Sequence, residues 1–168
     1  MEIASSADPA LLWADILSAA DGLTAGEPDA VANMANVAAL LFTSLPDVNW
    51  TGFYRAIDGE LVLGPFGGKP ACIRIAWGQG VCGTAAATGA LQRVEDVHAF
   101  PGHIACDPAS RSELVVPLFA PDGSAWGVID LDSPSPARFG PEDAEGCAAL
   151  ARLLEARLAG VPAGGVAR

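Results

Sequence analysis

NWTGFYRAIDGELVL (residues 49–63) decides the fold. Trp50, Gly52, Tyr54 and Ala56 fall on one face of an extended chain; Thr51, Phe53, Arg55 and Ile57 fall on the other. The period of two predicts a strand over Asn49–Ile57. Asp58-Gly59 is a hairpin turn signal, and Glu60–Leu63 is the return strand. SELVVPLFAPDGSAWGVIDLD (112–132) repeats the pattern: a strand over Ser112–Phe119, a turn at Pro121-Asp122-Gly123 and a partner over Trp126–Asp132. Two such hairpins predict an antiparallel sheet.

Helical signals flank these strands. Residues 9–23 carry Leu12, Ile16, Leu17 and Ala20 at helical spacing, with Asp8 as N-cap, Pro9 at the first helical position and Gly22 near the end. Pro28–Leu45 reads as a second helix with a stripe of Val31, Met34, Ala38, Leu41, Phe42 and Leu45. A last helix starts near Gly140-Pro141, with Glu142, Asp143 and Glu145 complementing its dipole and Cys147, Leu150, Ala151, Leu154 and Leu158 on its apolar face. Between the hairpins, GPFGGKPAC (64–72) reads as a loop, Ile73–Ile75 as a short strand, Gly80–Thr88 as a short Ala-rich helix and Leu91–Val94 as another short strand. His98–Ala109, broken by Pro101, Gly102 and Pro108, reads as an irregular loop. The order predicts an α+β domain: a central antiparallel sheet, helices packed on one face, and a loop-covered pocket on the other.

At 168 residues and 51% apolar, the chain suits one packed domain. Twenty acidic residues against nine basic give a net charge of −11. That balance argues against nucleic acid and anionic membranes as partners, since both need a basic face. No apolar run reaches the length of a membrane helix. MEIASSADPA carries no basic segment followed by an apolar core, so no secretory signal is expected and a cytoplasmic location is.

In that setting Cys72, Cys82 and Cys106 read as redox or metal chemistry rather than a disulfide framework. Cys147 reads as a buried small hydrophobe. Cys106 lies in the polar loop HIACDPAS, between His103 and Arg111, where exposure and positive charge favour the thiolate. Asp130 and Asp132 share one strand face, together with Trp126 and Val128. Carboxylates in that setting are costly to bury and suggest a site. Glu113 starts the partner strand and points to the same space. Clustered carboxylates repel, so at least one should keep its proton near neutral pH and serve as a general acid. Trp50 and Tyr54, on one strand face, read as an apolar wall or as ordinary core. Zinc is the rival use of Cys72, Cys82, His98, His103 and Cys106. Without a C-x-x-C or a tight histidine pair no metal is expected, and no P-loop or G-x-S-x-G is present.

NWTGFY (49–54), LGPFGGKPACIRI (63–75), GQGVCGTAA (78–86), EDVHAFPGHIACDPASRSELVVPL (95–118) and GVIDLDSP (127–134) resemble the free methionine-R-sulfoxide reductases, which are stand-alone GAF domains. ANMANVAALLF (32–42) is similar to that family's second helix, and the resemblance spans about residues 10–158. It implies one GAF domain, taken over residues 1–160; the tail VPAGGVAR (161–168) reads from its own composition as disordered. The resemblance implies that Cys106 is the catalytic cysteine, Cys72 the principal resolving cysteine and Cys82 a further cysteine in disulfide exchange. Glu113, Asp130 and Asp132 then bind substrate and polarise the sulfoxide, while Trp50 and Tyr54 hold its methyl group. The implied substrate is free methionine sulfoxide and the implied electron donor thioredoxin. No cofactor is implied, and a homodimer is. Two rival readings are a non-catalytic GAF sensor using the same pocket and a structural zinc module.

Overall fold

The computed structural model describes residues 8–102 and 107–159. The expectations placed on MEIASSA (1–7), on His103 and Cys106, and on the tail 161–168 concern residues outside those described.

Helices α1 (Pro9–Thr24) and α2 (Ala30–Ser44) precede strands β1 (Trp50–Ile57), β2 (Glu60–Gly68) and β3 (Arg74–Ala76). Helix α3 (Gly80–Thr88), strand β4 (Gln92–Val94), a 3-10 turn over Val97–Ala99, strands β5 (Ser112–Phe119) and β6 (Ala125–Ser133), and helix α4 (Pro141–Leu158) follow. The strands form one sheet in the order β3-β2-β1-β6-β5-β4, every neighbouring pair antiparallel. The expected α+β arrangement holds. α1, α2 and α4 bury Ile16, Leu41, Leu150 and Leu154 against Phe53, Leu114, Leu118, Ile129 and Leu131 on one sheet face. α3 packs on the other face, where Val81, Cys82, Ala85 and Ala86 meet Trp50, Tyr54, Val115 and Val128.

The caps follow local chemistry. Asp8 accepts the Ala10 N–H at 2.9 Å with Pro9 in the first turn, as the sequence predicts. α2 starts two residues later than expected because Asp29 caps it, accepting the Ala32 N–H at 2.8 Å. Its buried stripe is also rotated. Val37 is fully buried, while Val31 and Phe42 are 53% and 39% exposed. Gly146 lets the helices close: a Cβ there would lie 2.2 Å from the Trp13 ring. Trp13 Nε1 donates to Asp143 Oδ1 at 2.9 Å, Arg138 Nη1 donates to Asp143 Oδ2 at 2.9 Å, and the Gly140 N–H also donates to Asp143 Oδ2. Asp143, expected to complement a dipole, thereby ties α1 to α4.

Two strand expectations need correction. β2 runs on through Gly68, across the stretch read as a loop. Tyr54 pairs with Leu63 and Gly52 with Phe66, so β2 carries one residue more than β1 between those pairs. Gly64-Pro65 fills this bulge, where a proline's missing N–H costs no ladder bond. Trp126 does not share a face with Asp130 and Asp132. Leu118 pairs with Gly127 and Phe119 with Ala125, which leaves Trp126 as the extra residue. The bulge turns its ring into the helix-side core.

Candidate active site

The sheet face away from the long helices carries the site, and strand register builds it. Trp50 pairs with Asp132 across β1–β6, and Asp132 pairs with Glu113 across β6–β5. The next row of that face reads Gly52, Asp130, Val115. One side-chain row therefore places an aromatic and two carboxylates in line, and the adjacent row adds a third carboxylate next to a glycine. Cys82 reaches the same place from α3, its Sγ 3.7 Å from Glu113 Oε1. Together with Tyr54, Ile75, Gln79, Gly80, Val81, Asp107 and Ser110 these carboxylates line a cleft of about 400 Å³, counted to its open mouth.

Gly52 makes the aromatic wall. A Cβ there would sit 2.5 Å from Phe66 Cβ and 2.7 Å from Trp50 Cη2. With only hydrogen at that point, Trp50 stacks on Tyr54 at 5.9 Å between centroids and on Phe66 at 5.3 Å. The polar ends of the wall hold the following segment in place. Trp50 Nε1 donates to the Lys69 carbonyl at 3.1 Å, and the Tyr54 hydroxyl donates to the Cys72 carbonyl at 3.0 Å. Cys72 is thus fixed beside the ring of Tyr54. It stands in a disulfide, whereas Cys82 and Cys147 are free and buried. Cys147 sits on the apolar stripe of α4, as read.

The segment after residue 106 is tied down as well. Asn49 Nδ2 donates to Asp107 Oδ2 at 3.3 Å and to Ser110 Oγ at 3.1 Å. Lys69 Nζ lies 3.4 Å from Asp107 Oδ2. The Ala109 N–H and Lys69 hold the Asp107 carboxyl below the usual carboxylate range. The Arg111 N–H donates to the Ser133 carbonyl at 2.7 Å.

Burial dominates the electrostatics. Glu113 and Asp130 are 7% and 5% exposed, and Asp132 is half-buried. Burial, then the charges of Asp130 and Asp132, push Glu113 well above the ordinary carboxylate range. Burial raises Asp130 to about 7, against hydrogen bonds with Cys82 and Glu113 that pull it down. Asp132 is also raised well above its usual value, by burial and then by Asp130. Burial and the neighbouring carboxylates keep Cys82 a protonated thiol and Tyr54 a neutral donor. The cleft therefore holds carboxylic acids that keep protons near neutral pH beside an apolar aromatic wall. That is an arrangement for protonating a polar oxygen on a small substrate.

The GAF domain family matches residues 9–158. Protein YtsP of Bacillus subtilis strain 168 is 54% identical over 146 residues, which span 86% of this chain and 89% of that protein. The free methionine-R-sulfoxide reductase of Escherichia coli strain K12 is 51% identical over 147 residues, 88% of each chain. The X-ray structure of the free methionine-R-sulfoxide reductase from Neisseria meningitidis in complex with its substrate superposes with a TM-score of 0.89 at 46% identity, covering 94% of each chain. The chain belongs to the free methionine-R-sulfoxide reductases, an oxidoreductase family with the GAF fold.

For this reductase-family chain, the fold gathers Tyr54, Cys82, Glu113, Asp130 and Asp132 around one cleft. Trp50 and Cys72 do not line it: Trp50 stacks on Tyr54, and the Cys72 carbonyl accepts the Tyr54 hydroxyl. Sequence reasoning missed Phe66, because the glycines and proline around it masked the strand. It also missed Gly52 as the opening that seats Trp50, and Asn49 and Ser110 as anchors of the loop. The asparagine ahead of the strand and the serine at the loop's end were in view, but only tertiary contact assigns them this work. His98, a candidate zinc ligand, is exposed and does not line the cleft. Among the described residues, no helix is long and apolar enough to cross a membrane.

Proposed function

We propose that this chain reduces free L-methionine-R-sulfoxide to methionine. The observation that carries the proposal is the convergence of Glu113, Asp130 and Asp132 with Tyr54 in one cleft, where Trp50 stacks on Tyr54 and the Cys72 carbonyl accepts its hydroxyl. Sulfoxide oxygen leaves only once protonated, and acids with raised pKa values supply that proton. The aromatic wall receives the S-methyl end. The acidic lining attracts the substrate's ammonium group, which favours the free amino acid over a residue within a peptide.

The Cys106 thiolate attacks the sulfoxide sulfur. The oxygen takes one proton from a carboxylic acid and passes to the Cys106 sulfur as hydroxyl; the methionine S–O bond breaks, methionine leaves as the thioether, and Cys106 is oxidised to the sulfenic acid. The Cys72 thiol condenses with it, forming a Cys72–Cys106 disulfide and releasing water. The disulfide at Cys72 supports this resolving role. Thioredoxin, or another external dithiol, then reduces the disulfide by exchange and is itself oxidised. Cys82, kept as a thiol beside Glu113, enters that exchange only after the first disulfide has formed. The reading includes a homodimer and a cytoplasmic location.

Methionine release from the separated R and S sulfoxides, and from N-acetylmethionine sulfoxide, tests the proposal with dithiothreitol as reductant. Turnover confined to the free R isomer supports it. Ligand binding with no turnover of any sulfoxide in fully reduced protein would favour a non-catalytic sensor instead.

A further inference from the structure

Cys82, Glu113 and Asp130 come from three different elements, α3, β5 and β6, and no sequence motif joins them. One ligand atom from each lies within 4.8 Å of the others, and all three residues are buried. We propose that these three side chains form a binding site for a thiophilic divalent cation of the zinc type, and that its occupation excludes substrate from the cleft.

The geometry fits such an ion. A tetrahedral zinc centre with Zn–S about 2.3 Å and Zn–O about 2.1 Å places a thiolate sulfur and a carboxylate oxygen about 3.6 Å apart. Cys82 Sγ and Glu113 Oε1 are 3.7 Å apart before any ion arrives. Asp130 supplies a second, independent observation. Its Oδ1 is buried without a hydrogen-bond partner, although the residue is only 5% exposed and lines the cleft. An orphaned carboxylate oxygen at that depth is costly, and a cation would satisfy it. The three ligands sit on regular elements, which hold their donor atoms within 4.8 Å of one another.

The donor set selects the metal. One sulfur with two carboxylates suits zinc or cobalt and disfavours magnesium and calcium, which take oxygen ligands alone. Three protein ligands leave a fourth position open towards the cleft, the pattern of an exchangeable site rather than a closed structural one. Among the described lining residues there is no lysine, arginine or histidine to repel the ion. Binding releases to the solvent the Cys82 proton and the protons that Glu113 and Asp130 hold, and changes no oxidation state. Spacing rules look for cysteine and histidine pairs, so they pass over this set.

Metal binding stands on geometry alone; the exclusion of substrate rests on the reductase reading, because the ion would take two of the proposed acids. The test uses cobalt(II) with the oxidised protein, where Cys72 is already in a disulfide and Cys82 is free. The expected result is one equivalent bound, with a thiolate-to-cobalt charge-transfer band and the visible bands of a tetrahedral ion. Cys82→Ser should lose the charge-transfer band and Cys147→Ser should keep it. Asp130→Asn should keep the thiolate but bind at least about tenfold more weakly. A charge-transfer band that survives Cys82→Ser, or no stoichiometric binding to folded wild type, would overturn the site. Zinc(II) should then displace cobalt and raise the apparent KM for methionine sulfoxide in the reduced enzyme, an effect reversed by chelator. Turnover without a cobalt band would refute the metal site alone, and a cobalt band without turnover would refute the reductase reading alone.

Discussion

Glu113 on β5 and Asp132 on β6 are directly paired across the sheet, on the face that forms the cleft. Like charges placed opposite each other weaken a sheet, and burial adds to the cost. The fold tolerates this because protons remain on the cluster: burial raises Glu113, Asp130 and Asp132 above ordinary carboxylates, and neighbouring carboxylate charge adds to it at Glu113 and Asp132.

That relationship fixes a pH dependence of stability. Asp130 titrates at about 7 in the folded protein and near 4 when unfolded, so the folded state binds more protons between these values. Its contribution is therefore fully present below about pH 4 and is lost as pH rises through about 7. Asp130→Asn removes the ionisation. Thermal unfolding at pH 8 should show the variant melting a few degrees above wild type, with a smaller gap at pH 5, while methionine release falls by about 10²-fold or more. A variant less stable than wild type at both pH values would mean that the acid is a structural partner rather than a stored proton.

Gly52→Ala tests the aromatic wall. Its methyl group would meet Trp50 and Phe66 at 2.5–2.7 Å, so the indole must leave its stack. The expected result is a rise in KM together with a fall in kcat of about 10²-fold, because a shift of roughly 1 Å suffices for such a loss. Unchanged kinetics would remove Trp50 from the substrate contact.

Trp13→Phe separates stability from function. It leaves one oxygen of buried Asp143 without the indole donor, on the sheet face away from the cleft. Denaturant unfolding should show a loss of about 1–3 kcal/mol, with kcat unchanged at temperatures where the variant is folded. A matching loss of kcat would show coupling between the helix layer and the cleft.

The cysteines should divide by role. Cys72→Ser should retain a first turnover but lose most recycling by thioredoxin, read as a burst of about one methionine per chain. Cys147→Ala should behave as wild type in turnover. A Cys72→Ser enzyme that thioredoxin recycles at full rate would pass the resolving role to Cys82.

Much of the fold was legible because it rests on local signals. The period of two in 49–57 and 112–119, Asp58-Gly59, and the caps at Asp8 and Gly140 all name their elements without tertiary help. Gly80–Thr88 emerged at its expected ends. What stayed hidden depends on register. Phe66 becomes a strand residue only through the bulge at Gly64-Pro65, and Trp126 changes face only through the bulge opposite Leu118 and Phe119. The cleft was half-visible for the same reason. Asp130 and Asp132 share a face by parity and Glu113 begins the partner strand, but the strand pairings and α3 alone bring Gly52 and Cys82 to them.

The most direct test of the account is methionine release from free L-methionine-R-sulfoxide with dithiothreitol, measured for wild type and Cys106→Ser in parallel. Steady turnover in the wild type and none in the variant is the expected result. Turnover that persists in Cys106→Ser would contradict the assigned nucleophile, and its absence from fully reduced wild type would contradict the reductase.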